Sequence, residues 1–424
     1  MRKVYQLLKR TNGIQRTVIL FTALLAAAFT GKANNVSIGD IKVINNGNGD
    51  AKISFDISWE NSWRLSTGQS NYDGVWVFFK YRAQNTNGLW FPLQLSGNNP
   101  AGTGYSIFQT FMPNQIPAPS VGAIIYRSAV GIGTSTFNDV QLSIYPSGLP
   151  YNVDIKAFAI EMAYIPPVDV VTMGDGNGTQ ESVNAFHLAD KDNTSTFGYY
   201  IPGFPLVSAK TDANTFDDDY LNWENGKQLY ITDSGWSYTN DVNARNKKWA
   251  TGQPVWCMKY EISQGGYRDF LNTLTLQQQA GRTATPPTSA RGTLALATGT
   301  GINRTYIKID TASTVGKPAV YGTDYNGNAL YNELSDGYLS WPDVAAYLEW
   351  SGLAPMTEVL YERICRGHTD AGLNPVQYGE YAWGTTQVAT TPYTIGNVSL
   401  SSENITNITP GNTIGMANYT VTSP

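Results

Sequence analysis

Residues 51–59 read Ala-Lys-Ile-Ser-Phe-Asp-Ile-Ser-Trp, and this stretch decides the fold class of the N-terminal half. Ala51, Ile53, Phe55, Ile57 and Trp59 alternate with Lys52, Ser54, Asp56 and Ser58. A two-residue period puts one set of side chains into a core and the other into water, as in a half-buried β-strand. Just ahead, Asn46-Gly47-Asn48-Gly49-Asp50 supplies residues that tolerate positive φ, so a hairpin with Ile41 and Val43 on its first arm is expected. Further strands read at 74–82, 105–111, 123–128, 140–145 and 153–163, with no helical period between them. About seven strands at this spacing indicate a β-sandwich over residues 34–160. Ile165-Pro166-Pro167 breaks the pattern and marks the passage into a second domain, residues 161–424.

The second domain has a different texture. Polar segments rich in Gly and Asp come first, with strand-like pieces at 227–232 and 254–260. Three short helices come next. Ser263 caps the first, whose stripe Tyr267, Phe270, Leu271, Leu274 has i, i+3, i+4, i+7 spacing. Ser340-Trp341-Pro342-Asp343 opens the second with an N-cap, a first-turn proline and a capping-box-like acid; its expected inner face is Trp341, Val344, Ala345 and Leu348. Thr357 caps the third, with Glu358 at the positive end, Leu360, Tyr361 and Ile364 inward, and Gly367 as the stop. A loop rich in Pro, Thr and Ser, 283–292, lies between the first two helices. The fold class expected is therefore α+β, a sandwich followed by an irregular domain.

Composition bounds the function. The chain has 424 residues, 42% hydrophobic and only 14% charged, with a net charge of -5. Basic residues cluster only at the start, so no nucleic-acid partner is expected, because phosphate binding needs a localised Lys/Arg surface. Arg2, Lys3, Lys9, Arg10 and Arg16 precede an apolar run from Val18 to Phe29 and the small residues Gly31 and Ala33. That order reads as a signal peptide, residues 1–33, cleaved near Ala33. The run is shorter than the roughly 20 residues a spanning helix needs, and no other stretch qualifies, so no transmembrane segment is expected in the mature chain. The localisation expected is exported: periplasmic, cell-surface or extracellular.

Candidate chemistry is sparse. Cys257 and Cys365 are the only two cysteines, and either form one disulfide, if the fold brings them together, or serve as small buried apolar residues. His187 and His368 are isolated, so an all-histidine iron site is not expected. Asp190 with Asp192, Asp217-Asp218-Asp219 and the segment 324–328 (Asp-Tyr-Asn-Gly-Asn) offer oxygen ligands. None has the EF-hand spacing with its closing Glu, and each reads as solvated loop acidity. Hydrolase elbows and nucleotide-binding glycine loops are not found. No catalytic, cofactor-binding or metal-ligating residue is assigned.

Four blocks, in order, resemble the sulfatase-modifying-factor (formylglycine-generating enzyme) family: MAYIPPVDVVTMGDG at 162–176, PVWCMKYEISQGGYRDFLNTL at 254–274, YLSWPDVAAYLEWSGLAPMTEVLYERICRG at 338–367 and YAWGTT at 381–386. The departures are Ala354, where the family usually has Arg, and a long insertion at 186–250. The resemblance implies an irregular fold similar to C-type lectins. Family enzymes oxidise a substrate cysteine with oxygen and copper(I) held by two closely spaced cysteines near their C-terminus; soft thiolates suit that ion. Cys257 and Cys365 match structural positions instead, and the block carrying the copper pair is expected beyond Pro424, so that the domain is incomplete and no cofactor is expected in this chain. The function this implies is that of a non-catalytic exported scaffold that binds a protein or glycan ligand at the cell surface. The alternative is a copper-dependent formylglycine-generating oxidase acting on a sulfatase cysteine, represented here by a fragment lacking its cysteine pair.

Overall fold

The computed structural model describes residues 36–45, 51–67, 70–84, 86–97, 99–109, 119–145, 152–166, 254–299, 304–323 and 329–356, with isolated short pieces between 170 and 231 and between 360 and 414. The signal-peptide segment 1–33, Cys365, His187, His368 and the three acidic segments all lie outside the described residues.

Antiparallel strands dominate. β1 (Ser37–Asn45) and β2 (Ala51–Arg64) make the expected hairpin, with Asn45 paired to Ala51. Then come β3 (Tyr72–Ala83), β4 (Phe91–Pro92), β5 (Gln94–Leu95), β6 (Tyr105–Phe108), β7 (Gly122–Arg127), β8 (Gly131–Tyr145) and β9 (Val153–Ile165). One run of neighbours is β1-β2-β8-β5. The other is β9-β3-β7-β6, with β4 also beside β3. They join where Arg64 of β2 pairs with Tyr72 of β3, so the sheet curls and its two halves enclose one core. Ile53, Phe55, Ile57 and Trp59 from β2 meet Val75, Val77 and Phe79 from β3 there, together with Ile125 from β7 and Leu142 from β8. The alternation read at 51–59 is this inward face, and each such side chain contributes about 1.5–3 kcal/mol on leaving water.

β3 departs from simple alternation. Its middle, Val75-Trp76-Val77-Phe78-Phe79, is buried on both sides. The odd residues face the enclosed core, while Trp76 and Phe78 face outward into a second cluster with Ile124, Phe158 and Met162. Residues from much later in the chain cover that outer face.

β10 (Val170–Thr172), β11 (Pro205–Val207), β12 (Leu221–Glu224) and β13 (Gln228–Ile231) pair in a small sheet of their own. β14 (Val255–Met258) then adds to the edge of β9, with Trp256 opposite Tyr164 and Met258 opposite Met162. The passage between domains expected at residues 160/161 thus falls inside β9, and the later segment extends the same sheet.

α1 (Gln264–Leu271) starts as read: the Ser263 hydroxyl accepts the Gly266 amide at 3.1 Å, and Tyr267, Phe270 and Leu271 are buried. α2 (Leu276–Ala280) has a Thr275 capping box. β15 (Lys308–Thr311) and β16 (Val320–Gly322) form a short antiparallel pair, and a 3-10 turn at Ala329–Glu333 leads to α3 (Trp341–Ser351). Three side-chain amides hold this irregular region by copying backbone pairing. Gln264 bonds the Arg304 carbonyl and the Tyr306 amide, Asn272 takes both Tyr321 groups, and Gln279 takes both Ala319 groups. Buried amides satisfied in this way fix loops that no regular ladder reaches.

α3 corrects one expectation. Its packed stripe is Val344, Tyr347, Leu348 and Ser351, while Trp341 is 64% exposed, because the first turn of the helix borders an open cleft instead of the core. In the third helical segment Tyr361, expected inward, is exposed, and Thr357 and Glu358 lie outside the described residues. α3 ends at Gly352 with φ 74°, a left-handed cap that suits glycine.

Candidate functional site: a cleft at the start of helix α3

The sequence around α3 builds one wall of the cleft. One oxygen of Asp343 accepts the Ser340 amide at 3.0 Å and the Ser340 hydroxyl at 2.5 Å, realising the capping arrangement read from the sequence. Its other oxygen accepts Arg282 Nη1 at 3.2 Å. Arg282 comes from the opposite wall, where Gly281 ends α2 and the Arg282 amide turns back to the Gln279 carbonyl at 2.9 Å. The next residue, Thr283, donates its hydroxyl to that same carbonyl at 3.0 Å. Between the walls opens a cleft of about 380 Å³ lined by Arg282, Thr283, Tyr338, Ser340, Pro342 and Asp343, among others.

One large aromatic side chain, Tyr338, lines this opening. Tyr338 is 49% exposed and has φ 63°, a left-handed conformation that a non-glycine residue adopts at a cost of about 1 kcal/mol or more. Trp341, on the far side of Ser340, is the exposed first residue of α3.

Behind the wall lie polar atoms without satisfied hydrogen bonds. Tyr267 is fully buried, and its hydroxyl makes no well-formed hydrogen bond. Burial, then the nearby Asp343 and Asp336 charges, hold its pKa far above the ordinary tyrosine value, while Arg282 pulls it down. The Tyr321 hydroxyl is equally unsatisfied; burial pushes it up to about 12, with Thr283 opposing. Both carboxylate oxygens of Asp336 also lack hydrogen bonds, and burial lifts this group to about 7 against a smaller pull from the Gly337 amide. Atoms of this kind are uncommon in native proteins and call for a physical reason.

A second polar centre closes one end of the curled sheet. Lys259, just after β14, places Nζ 3.2 Å from Asp73 Oδ2 and 2.9 Å from Glu161 Oε2, with its side chain 9% exposed. Asp73 also accepts Trp59 Nε1, the Ser62 hydroxyl and the Trp63 amide, at 2.9–3.0 Å. Burial pushes the Lys259 ammonium down, but the Glu161 and Asp73 carboxylates outweigh this and hold it above its ordinary value. The Trp63 ring lies 4.8 Å from Nζ and completes the enclosure. Every visible partner of this centre belongs to the fold, which makes it a structural lock.

Of the residues weighed from sequence, Cys257 lies on β14, half-buried, and its thiol donates to the Met258 carbonyl at 3.3 Å. Among the described residues no three His, Cys, Asp or Glu side chains gather as a metal cluster. No helix among them is long and apolar enough to cross a membrane. Arg282, Tyr338, Asp336 and Tyr267 were not legible as a group: they come from three segments, and the local signals at Tyr267, Ser340 and Asp343 spoke of helix packing and capping only. No family model matches the chain, and no curated protein or solved structure is similar to it at a significant level.

Proposed function

We propose that the chain is an exported, non-catalytic binding protein, in which a β-sandwich is joined to a C-type-lectin-like domain of the sulfatase-modifying-factor kind. Support for the scaffold comes from the strand-to-helix passage 254–274 and the helix start at Ser340, which belong to two of the four blocks of the resemblance and have the β14–α1 and capped α3 conformations that the reading requires. The observation that carries the binding role is the open cleft at the start of α3, lined by the half-exposed Tyr338 and the Arg282–Asp343 pair. Its ligand is a protein or a glycan at the cell surface.

The test uses the purified chain in two assays. Arrays of surface glycans and envelope proteins are expected to give saturable binding. A cysteine peptide incubated with the chain, copper(I) and oxygen is expected to keep its mass. Oxygen-dependent conversion of that cysteine to formylglycine would overturn the proposal in favour of the oxidase.

A further inference from the structure

The polar centre at the end of the curled sheet holds an amine, an acid to receive it and a second acid beside both. We propose that Lys259 Nζ and the carboxyl carbon of Asp73 join in an amide bond, with Glu161 as the acid–base group, so that the chain carries an internal covalent cross-link. The link is independent of any ligand. It ties the residue after β14 to β3, across β9, between positions 186 apart in sequence.

Sheet register brings the three groups together. The Lys259 amide donates to the Glu161 carbonyl at 2.9 Å, continuing the β14–β9 ladder, and Glu161 pairs with Val75 of β3, two residues from Asp73. Side chains two apart on a strand share a face, so Asp73 is the diagonal neighbour of Glu161. Nζ of Lys259 then sits 2.9 Å from Glu161 Oε2, 3.2 Å from Asp73 Oδ2 and 3.3 Å from the Asn61 carbonyl oxygen. The two oxygens of Asp73 are held differently. Oδ1 accepts the Ser62 hydroxyl at 2.9 Å and the Trp63 amide at 3.0 Å, two donors placed as a developing oxyanion needs them. Oδ2, the oxygen near Nζ, accepts the Trp59 indole at 3.0 Å. The Asp73 side chain is fully buried, and the rings of Trp63 and Tyr260 lie 4.8 and 5.4 Å from Nζ. An enclosure of this kind disfavours hydrolysis of the bond once it has formed.

Charge supplies the drive. Two carboxyl groups share one ammonium here, and buried ions remain costly even when paired. Glu161, lifted to about 7 by burial and with its Oε1 lacking a hydrogen bond, takes and returns a proton readily near neutrality. One proton passes from Nζ to Glu161 Oε2 and on to Asp73 Oδ2, which leaves a neutral amine facing a neutral acid. Nζ attacks Cγ, the N–C bond forms, and negative charge collects on Oδ1 between Ser62 and Trp63. A second proton from Nζ follows the same route to Oδ2, the C–O bond breaks and water leaves. A neutral amide thus replaces the ammonium and the carboxylate, nothing is oxidised or reduced, and Glu161 is returned unchanged and still titratable. Burial pushes Lys259 toward the amine, but the Glu161 and Asp73 carboxylates outweigh it, so the reactive form is rare. Oriented groups reach effective concentrations of about 10⁵ M or more, and one event per chain suffices.

The test is the intact mass of the purified full chain after denaturation, followed by a tryptic map. The mass is expected about 18 Da below that of the linear chain with the same termini, the loss of one water. The map is expected to hold a branched peptide joining 65–80 to 249–268, uncut after Lys259. Glu161→Gln keeps an acceptor for Nζ but cannot shuttle the proton, and is expected to lower the linked fraction about tenfold or more. Lys259→Arg is expected to give the linear mass. Where a variant fails to fold, the mass and map of the unaltered chain still decide, because both are read on denatured protein. A linear mass for that chain would overturn the proposal. So would a lost water found on an unbranched peptide 65–80, which marks ring closure at Asp73-Gly74 in place of a cross-link. A branched peptide formed to the same extent in Glu161→Gln would remove Glu161 from the reaction.

Discussion

Trp76 joins the early and late parts of the chain through one side chain. It lies on the outer face of β3, and its indole N–H donates to the Ser351 carbonyl at 2.7 Å, where α3 ends. The fit is tight on both sides. A Cβ on Gly122 would come within 2.6 Å of Trp76 Cζ2 and 2.7 Å of the Val77 carbonyl oxygen. A Cβ on Gly352 would meet Val121 at 2.7 Å. Trp76→Phe removes the indole donor to the Ser351 carbonyl and leaves a void, and is expected to cost about 2–4 kcal/mol in urea denaturation. Gly122→Ala is expected to cost about 3 kcal/mol, at the upper end for overpacking, because one of its contacts is backbone that cannot rotate away. A loss under about 0.5 kcal/mol in either variant would mean that this junction relaxes freely.

At the scale of elements, the attachment of β14 to β9 is secured by the Lys259 lock, and the lock gives stability a pH dependence. Glu161 is 3% exposed, and its Oε1 has no hydrogen bond. Burial lifts its pKa from 4.5 to about 7, with Lys259 pulling it down and Asp73 and Glu333 adding to the rise. The fold therefore prefers the protonated acid. Its contribution is complete below the unfolded value and is lost as pH rises through about 7. By linkage this amounts to about 3 kcal/mol at most, and Asp336, raised from 3.8 to about 7, acts in the same direction. The melting temperature is expected to fall between pH 5 and pH 8, and Glu161→Gln, neutral throughout, is expected to flatten that fall. Parallel curves for the two proteins would show that Glu161 does not titrate in this range.

Elements legible in the sequence were those whose signals are local. The 51–59 alternation gave an inner face, and Ser263 and Ser340 gave helix starts, because a cap acts within three residues. Trp341 was misjudged because helical periodicity specifies an angle around the axis and says nothing of where the packed length begins. The double burial of β3 left only a continuous apolar run, which tells burial but not the identity of the second cover. The cleft was invisible for a related reason: its walls are turns from separate segments, brought together by α1 and α3 packing on the sheet. Signals for Arg282 and Tyr338 would have required that packing to be known first.

For the whole molecule, the outer face of β9-β3-β7 decides whether the N-terminal half can stand alone. The alternating strands imply a self-sufficient unit, since they provide their own buried face, and this holds for the enclosed core. The same strands turn Trp76, Phe78, Ile124, Phe158 and Met162 the other way, where Trp350, Leu353, Trp256 and Met258 pack against them. A chain ending at residue 166 would lose all four of those partners and Lys259 as well. Five large side chains uncovered at about 2 kcal/mol each amount to roughly 10 kcal/mol, comparable to the whole stability of a typical domain. Loss of Lys259 would also leave Asp73 and Glu161 facing each other inside the sheet without their cation, a further penalty for a buried pair. The truncated chain, residues 36–166, is therefore expected to self-associate through this face or to bind a hydrophobic dye, and to unfold without a cooperative transition. Size-exclusion chromatography, dye fluorescence and urea denaturation check this together. A monomer that unfolds cooperatively and leaves the dye dark would show that the enclosed core alone sustains the fold, and that β14, α1 and α3 are an attachment to a finished unit.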